Sequence, residues 1–167
     1  MDCLNQYQGK NFYLLNGDTT ELIRNFPDNS MHFEIYSPPF SSLYTYSNSD
    51  RDLGNSKNDE EFFAHFHFIT SELFRILKPG RIMAVHCMNL PTSKERDGFI
   101  GIKDFRGDLI REFQSAGFML HEIEQQFICL LRRQVGRCGF PFVERIGLYA
   151  SCGGNGFDGV TLHVDCG

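Results

Sequence analysis

The sequence has no tryptophan, no Cys-x-x-Cys pair and no apolar run long enough to cross a membrane. Without paired cysteines the usual zinc-ligand spacing is missing, so the six cysteines do not read as a metal framework. Cys3 and Cys87 stand far apart, and Cys129, Cys138, Cys152 and Cys166 crowd the carboxyl-terminal part. Met1 to Asn5 lacks the basic and apolar regions of a signal peptide. These absences together predict a cytoplasmic protein with reduced thiols and no membrane partner. An excess of positive charge is missing too: 16 Lys and Arg face 21 Asp and Glu, a formal net charge of −5. That argues against a broad electrostatic footprint on nucleic acid, although a local patch is enough for a nucleic-acid substrate.

What is present is an ordinary globular balance, 41% hydrophobic and 22% charged, with 17 phenylalanines to fill one core. At 167 residues the chain is one domain at most. Asn11 to Leu15 reads as a short strand, closed by Asn16-Gly17-Asp18. Asp18 or Thr19 can cap a helix reaching Phe26. Met31 to Tyr36 is the next strand. Asn58, with Glu61 three residues on, forms a capping box before Phe62, Phe66, Ile69, Leu73, Ile76 and Leu77, which fall on one helix face as core. Lys78-Pro79-Gly80 ends that helix, and Arg81 to Met88 is a strand. Phe105, Leu109, Ile110 and Phe113 mark a further helix, stopped at Gly117. Phe118 to Leu131 reads as one extended segment long enough to bend. Strands alternating with helices predict an α/β fold around a parallel sheet.

The strand over Met31 to Tyr36 stops at Ser37-Pro38-Pro39-Phe40, because proline cannot donate to a sheet ladder. In an open α/β sheet, ligands bind beyond the carboxyl ends of the strands. Asp18, Ser37 and Asn89 are expected on that rim. The Ser37 hydroxyl and the Pro38 carbonyl are two neighbouring acceptors, Pro39 restricts the backbone, and Phe40 is a flat apolar plate. Two acceptors beside a plate suit a flat heterocycle with an exocyclic amino group. As four isolated residues they equally fit a strand-ending proline turn.

Among known families, "SPPF" resembles the (S/D/N)-P-P-(Y/F) motif of amino-directed DNA methyltransferases. The flanking sequence is similar as well: "LLNGDTTELIRNFPDNSMHFEIYSPPF" looks like the family's opening segment. "ELFRILKPGRIMAVH" looks like its helix–LKPGG–strand unit, and "KERDGFIGIKDFRGDLIREF" is similar to members from phages and prophages. The resemblance runs over residues 11 to 130. It implies a partial Rossmann-like, S-adenosylmethionine-dependent methyltransferase sheet with flanking helices, acting on an exocyclic amino group of adenine or cytosine in DNA.

By that resemblance Ser37, Pro38, Pro39 and Phe40 form the catalytic pocket, Tyr44 helps Phe40 stack on a flipped base, and Asp18 contacts the cofactor. The competing reading of Asp18 is a helix cap. Lys94, Arg96, Lys103 and Arg106 flank a loop at the rim, where phosphate contact and a solvated surface are equally expected. His86, in mid-strand, reads as a hydrogen-bonded core residue rather than a base, and His65 and His67 face different sides of their helix. The family's Gly-rich cofactor loop is not found. "SCGGNGFDG", residues 151 to 159, has glycines but no strand–helix context. Residues 1 to 131 therefore read as the catalytic half of a methylase domain. Residues 132 to 167 read as an atypical Gly- and Cys-rich tail, of the kind a truncated or frame-shifted copy would carry. The alternative to an active enzyme is a fragment that depends on a missing carboxyl-terminal half or an oligomer partner. The strand edge beside Ile35 is then expected to lie open.

Overall fold

Strand β1 (Cys3–Gln8) folds back antiparallel on β2 (Tyr13–Gly17), making a two-stranded sheet of its own. Helix α1 (Thr19–Leu22) and a 3-10 turn over Ile23–Asn25 lead to β3 (Met31–Ser37). Two further 3-10 turns, Ser41–Leu43 and Leu53–Asn55, precede the long helix α2 (Asp59–Ile76) and β4 (Leu77–His86). A small hairpin of β5 (Leu90–Thr92) and β6 (Gly101–Lys103) encloses the short helix α3 (Lys94–Asp97). Helix α4 (Phe105–Ser115), β7 (Phe118–Glu124), β8 (Ile128–Arg133) and β9 (Val160–Val164) complete the order. The computed structural model describes residues 3–10, 12–44, 48, 52–124, 128–133 and 160–164.

The local chemistry of α2 follows the expected capping box. Asn58 accepts from the Glu61 amide at 2.9 Å, while Glu61 reaches back to the Lys57 amide at 2.6 Å. Asp59, Glu60 and Glu61 put negative charge in the first turn, where the helix dipole favours it. Phe62, Phe66, Ile69, Leu73 and Ile76 are all buried, so the stripe is core. Phe105, Leu109 and Phe113 of α4 meet it, with Phe66 and Phe113 in edge contact at 5.7 Å. Gly117, at φ 106°, ends that helical region in the left-handed conformation expected of glycine.

Two arginines tie the far ends of these elements. Arg75 donates to the carbonyls of Phe26 and Ile23 and pairs with Glu72 and Asp28. Burial works against its charge, but the hydrogen bonds to Glu72 and Asp28 outweigh it and hold Arg75 above its usual pKa. Arg133 donates to the Phe74, Arg75 and Leu77 carbonyls and lies over the Phe74 ring, 4.5 Å from its centre. It thereby satisfies carbonyls that the end of α2 leaves without helical partners.

The main sheet has five strands in the order β7-β8-β4-β3-β9, and it departs from the expected parallel sheet. Only β3 and β4 pair in parallel; β8 is antiparallel to β4 and to β7, and β9 is antiparallel to β3. The segment expected as one bent strand, Phe118 to Leu131, is two strands paired with each other. Lys78-Pro79-Gly80 does not form a separate stop: α2 ends at Ile76 and β4 begins at Leu77. Leu77, expected on the helix face, is therefore a buried strand residue, and Lys78-Pro79-Gly80 lie within β4, with Gly80 at φ 80°. The edge of β3 is not open. Ile35 pairs with Leu162 of β9, so the tail supplies the strand that covers it. Arg145 to Ala150, the one stretch of the tail whose sequence could form a strand, lies outside the described residues.

Candidate active site

The parallel pairing of β3 with β4 fixes the rim. Tyr36 pairs with Val85, so the next residues, Ser37 and His86, end their strands side by side. Their Oγ and Nδ1 atoms lie 3.3 Å apart. Ser37 is half-buried, Pro38 and Pro39 are buried and Phe40 is half-buried, its ring packed on the core. The His86 ring meets Phe40 edge-on, with centroids 6.5 Å apart. His86 is thus exposed at the rim and not a core residue, which corrects the sequence expectation. The strand ends at His86, two residues before the expected Met88.

Immediately after Phe40 the chain turns through Ser41, a non-glycine residue at φ 51° that is only 2% exposed. Such a conformation needs compensating contacts. Ser41 donates its hydroxyl to Asp59 Oδ1 at 2.8 Å, and Asp59 Oδ2 accepts from Lys103. Burial pulls the Lys103 ammonium below the usual lysine range, against the opposing charge of Asp108. The three residues join the Ser-Pro-Pro-Phe turn to the start of α2 and to the end of β6. They line a cavity of about 200 Å³ that also takes in Leu90, Arg96 and Asp97. Periodicity and spacing single out neither Ser41 nor Asp59 for this role. Register could have found His86, had β3 and β4 been aligned at their carboxyl ends.

Asp18 stands elsewhere. Because β2 belongs to the small sheet, Asp18 does not come to the rim on a strand of the main sheet, as the sequence had implied. Its carboxylate accepts from the Thr20 amide at 2.9 Å and from the Thr20 hydroxyl, so it is the cap of α1. It also lines a cavity of about 560 Å³, together with Glu21, Asp52, Glu61, Lys57 and Ile69. None of Ser37 to Phe40 lines that cavity. Both expected roles of Asp18 therefore remain compatible with its place.

The other residues divide. Tyr44 is exposed just beyond the Ser41–Leu43 turn. Lys94 is exposed on α3, whereas Arg96 donates to the Pro91 carbonyl at 3.0 Å and pairs with Asp97. Arg106 lies at the start of α4, its amide held by the Asn89 side chain at 3.2 Å. His67 pairs with Glu112 at 2.7 Å, and no metal-ligating cluster occurs among the described residues. The glycine cluster of residues 151 to 159 lies outside them.

No family model matches the sequence, and no curated protein matches it. Solved structures do match its fold. A Thermus thermophilus protein assigned as a DNA modification methylase, in complex with S-adenosyl-L-methionine, superposes with a TM-score of 0.56 at 21% identity. The match covers 78% of this chain and 56% of that one. PvuII DNA methyltransferase, cytosine-N4-specific, superposes with a TM-score of 0.53 at 18% identity, covering 75% of this chain and 50% of that one. The chain shares their α/β methyltransferase fold and spans about half their length.

Proposed function

We propose that the chain transfers a methyl group from S-adenosylmethionine to the exocyclic amino group of an adenine or cytosine flipped out of DNA. The observation that supports this reading is the rim itself. A hydroxyl, a proline-bounded carbonyl and an aromatic ring follow one another at the end of a buried strand, in a fold shared with DNA methylases.

Phe40 stacks on the extruded base, assisted by Tyr44, while Ser37 Oγ and the Pro38 carbonyl accept the two amino N–H groups. Accepting both protons draws the nitrogen lone pair out of conjugation with the ring and aims it out of plane. With His86 in the tautomer whose Nδ1 is free to accept, the Ser37 hydroxyl proton is held there. The serine lone pairs are then left for the base. Lys94, exposed on α3, supplies a cation for a phosphate contact beside this rim.

The cofactor supplies an activated methyl on a cationic sulphur. The lining of the cavity beside Asp18 carries the carboxylates of Asp18, Glu21, Asp52 and Glu61 against Arg24 and Lys57. That cavity is the candidate place for the cofactor's adenosine end only. The methyl-bearing sulphur would have to lie outside it, at the rim, because none of Ser37 to Phe40 lines that cavity. Asp18 would hold the adenosine end. A second reading, a chain that needs a partner to complete its cofactor site, is favoured by a specific observation. Among the described residues no glycine-rich turn joins a strand to a helix, although such a turn is what lets backbone amides approach a nucleotide closely.

Incubation of the purified chain with methyl-labelled S-adenosylmethionine and genomic DNA, followed by digestion to nucleosides, tests the proposal. Label in N6-methyladenine or N4-methylcytosine is expected, and its identity decides the base. Label confined to C5-methylcytosine would refute an amino-directed enzyme. No label in DNA would favour the partner-dependent reading.

A further inference from the structure

The β5–β6 hairpin carries the two most exposed large apolar side chains among the described residues, Ile100 at 84% and Ile102 at 73%. Phe99, 55% exposed, stands beside them, so that with Gly101 the three occupy four consecutive positions. Single exposed hydrophobics are ordinary, but three within four residues of one hairpin are not. The segment is built, despite lacking a core of its own. Ser93 caps α3 by accepting from the Arg96 amide, and its own amide donates to Asp97 at 2.7 Å. Gly98 ends α3 at φ 78°. Gly101 leaves room for the Phe99 ring, which would lie 3.2 Å from a β-carbon there.

Both ends of the hairpin are fastened to the candidate active site. At its start, β4 ends at His86, beside Ser37, four residues before β5 begins at Leu90. At its finish, Lys103 pairs with Asp59, which in turn accepts a hydrogen bond from the hydroxyl of Ser41, the residue after Phe40. An apolar segment with the exposed Lys94 in the same β5–β6 connection, on a hairpin rooted in the candidate base-binding turn, matches a surface that enters a stack of bases. Inserted aliphatic and aromatic side chains are how proteins unstack a base step and hold it open.

We propose that Phe99, Ile100 and Ile102 form a wedge that enters the DNA duplex and occupies the space left by the extruded base, with Lys94 on the adjacent phosphate. This rests on the reading of Ser37 to Phe40 as the base pocket. The wedge offsets the unstacking cost of extrusion and stops the base from falling back. The partner is a duplex with a gap in its stack, and the inserted groups replace the missing base by stacking and apolar contact.

The test uses the full chain and two fluorescein-labelled duplexes of one sequence, one fully paired and one with a central abasic site. Fluorescence anisotropy should show about tenfold tighter binding to the abasic duplex. Replacing Phe99, Ile100 and Ile102 together by serine should bring that ratio close to one, with an unchanged circular dichroism spectrum because all three are exposed. Equal binding of both duplexes by the native chain would overturn the wedge, as would a serine variant that keeps the preference. A native dimer in sedimentation that the serine variant dissolves would also overturn it, marking the segment as a contact between copies. An abasic duplex presents no base to Ser37 and the assay needs no methyl donor. A preference without methyl transfer would therefore retain the wedge and reject the enzyme, and methyl transfer undiminished in the serine variant would do the reverse.

Discussion

Ser37 and His86, 49 residues apart in sequence, meet at 3.3 Å because two parallel strands in register end at the same level. The contact belongs to the sheet before it belongs to any ligand: Tyr36 against Val85 sets it, and the buried faces of both strands hold it there. Its chemical effect is to fix the direction of one hydroxyl. Ser37→Ala removes an acceptor for one amino proton and should lower kcat/KM by the equivalent of about 1–3 kcal/mol. His86→Ala frees the hydroxyl to rotate and removes an edge contact with Phe40, but it leaves the Ser37 acceptor in place and should cost less. Steady-state methyl transfer by the two variants checks the order, and an undiminished Ser37→Ala enzyme would remove Ser37 from the pocket.

Phe66 is fully buried and sits in the middle of the aromatic core. It stacks on Tyr36 at 5.9 Å and on Phe62 at 5.6 Å, and meets Phe113 edge-on. Tyr36 is the residue before Ser37, so the core beneath the rim is also its foundation. Phe66→Ala should destabilise the protein by about 3–5 kcal/mol. Urea unfolding followed by circular dichroism measures it. A loss under about 1 kcal/mol would mean the site can collapse around the smaller side chain.

The parts of this fold that sequence made legible were the ones written locally. Asn58 and Glu61 announce the start of α2 three residues apart, and the spacing of Phe62, Phe66, Ile69 and Leu73 announces which face is buried. The Ser-Pro-Pro-Phe turn declares its strand end in the same way, because proline forbids continuation. Pairing between distant segments left no such mark. Gln125-Gln126-Phe127 carries neither glycine nor proline, so β7 and β8 looked like one segment. His86 was misplaced for a different reason, a strand boundary two residues out, which is enough to turn a rim residue into an interior one. The φ of Ser41 had no signal at all: serine at a positive φ is a tertiary outcome, held by Asp59 from the next helix.

The pairing of β9 with β3 makes a prediction about the tail. Phe33 to Ser37 exchange backbone hydrogen bonds with Val160 to Val164, and this ladder covers the edge of the strand that carries the site. A chain ending at residue 159 would leave that edge without its partner, a template for pairing with another molecule. Size-exclusion chromatography with light scattering should show more association for the shortened chain than for the full one at equal concentration. Identical elution of both as monomers would mean that β9 is dispensable for covering the edge.

Cofactor binding by the isolated chain should be weak. Asp18 offers a carboxylate, but that carboxylate already takes the Thr20 amide and hydroxyl as the cap of α1. One added hydrogen bond contributes about 1 kcal/mol net, too little to offset the loss of freedom of a bound nucleotide. The acidic lining beside it attracts a cationic cofactor, although Arg24 and Lys57 cancel part of that field and salt screens the rest. Closely approaching backbone amides would supply the missing affinity, and among the described residues no strand-to-helix turn holds more than the single Gly17 before α1. Calorimetric titration of the folded chain with S-adenosylmethionine should therefore give a dissociation constant well above about 100 μM, with Asp18→Asn weakening it further. Micromolar binding would place the missing contacts in this chain after all and remove the case for a partner. The combination of weak binding alone and tight binding beside a second protein would establish the partner-dependent site.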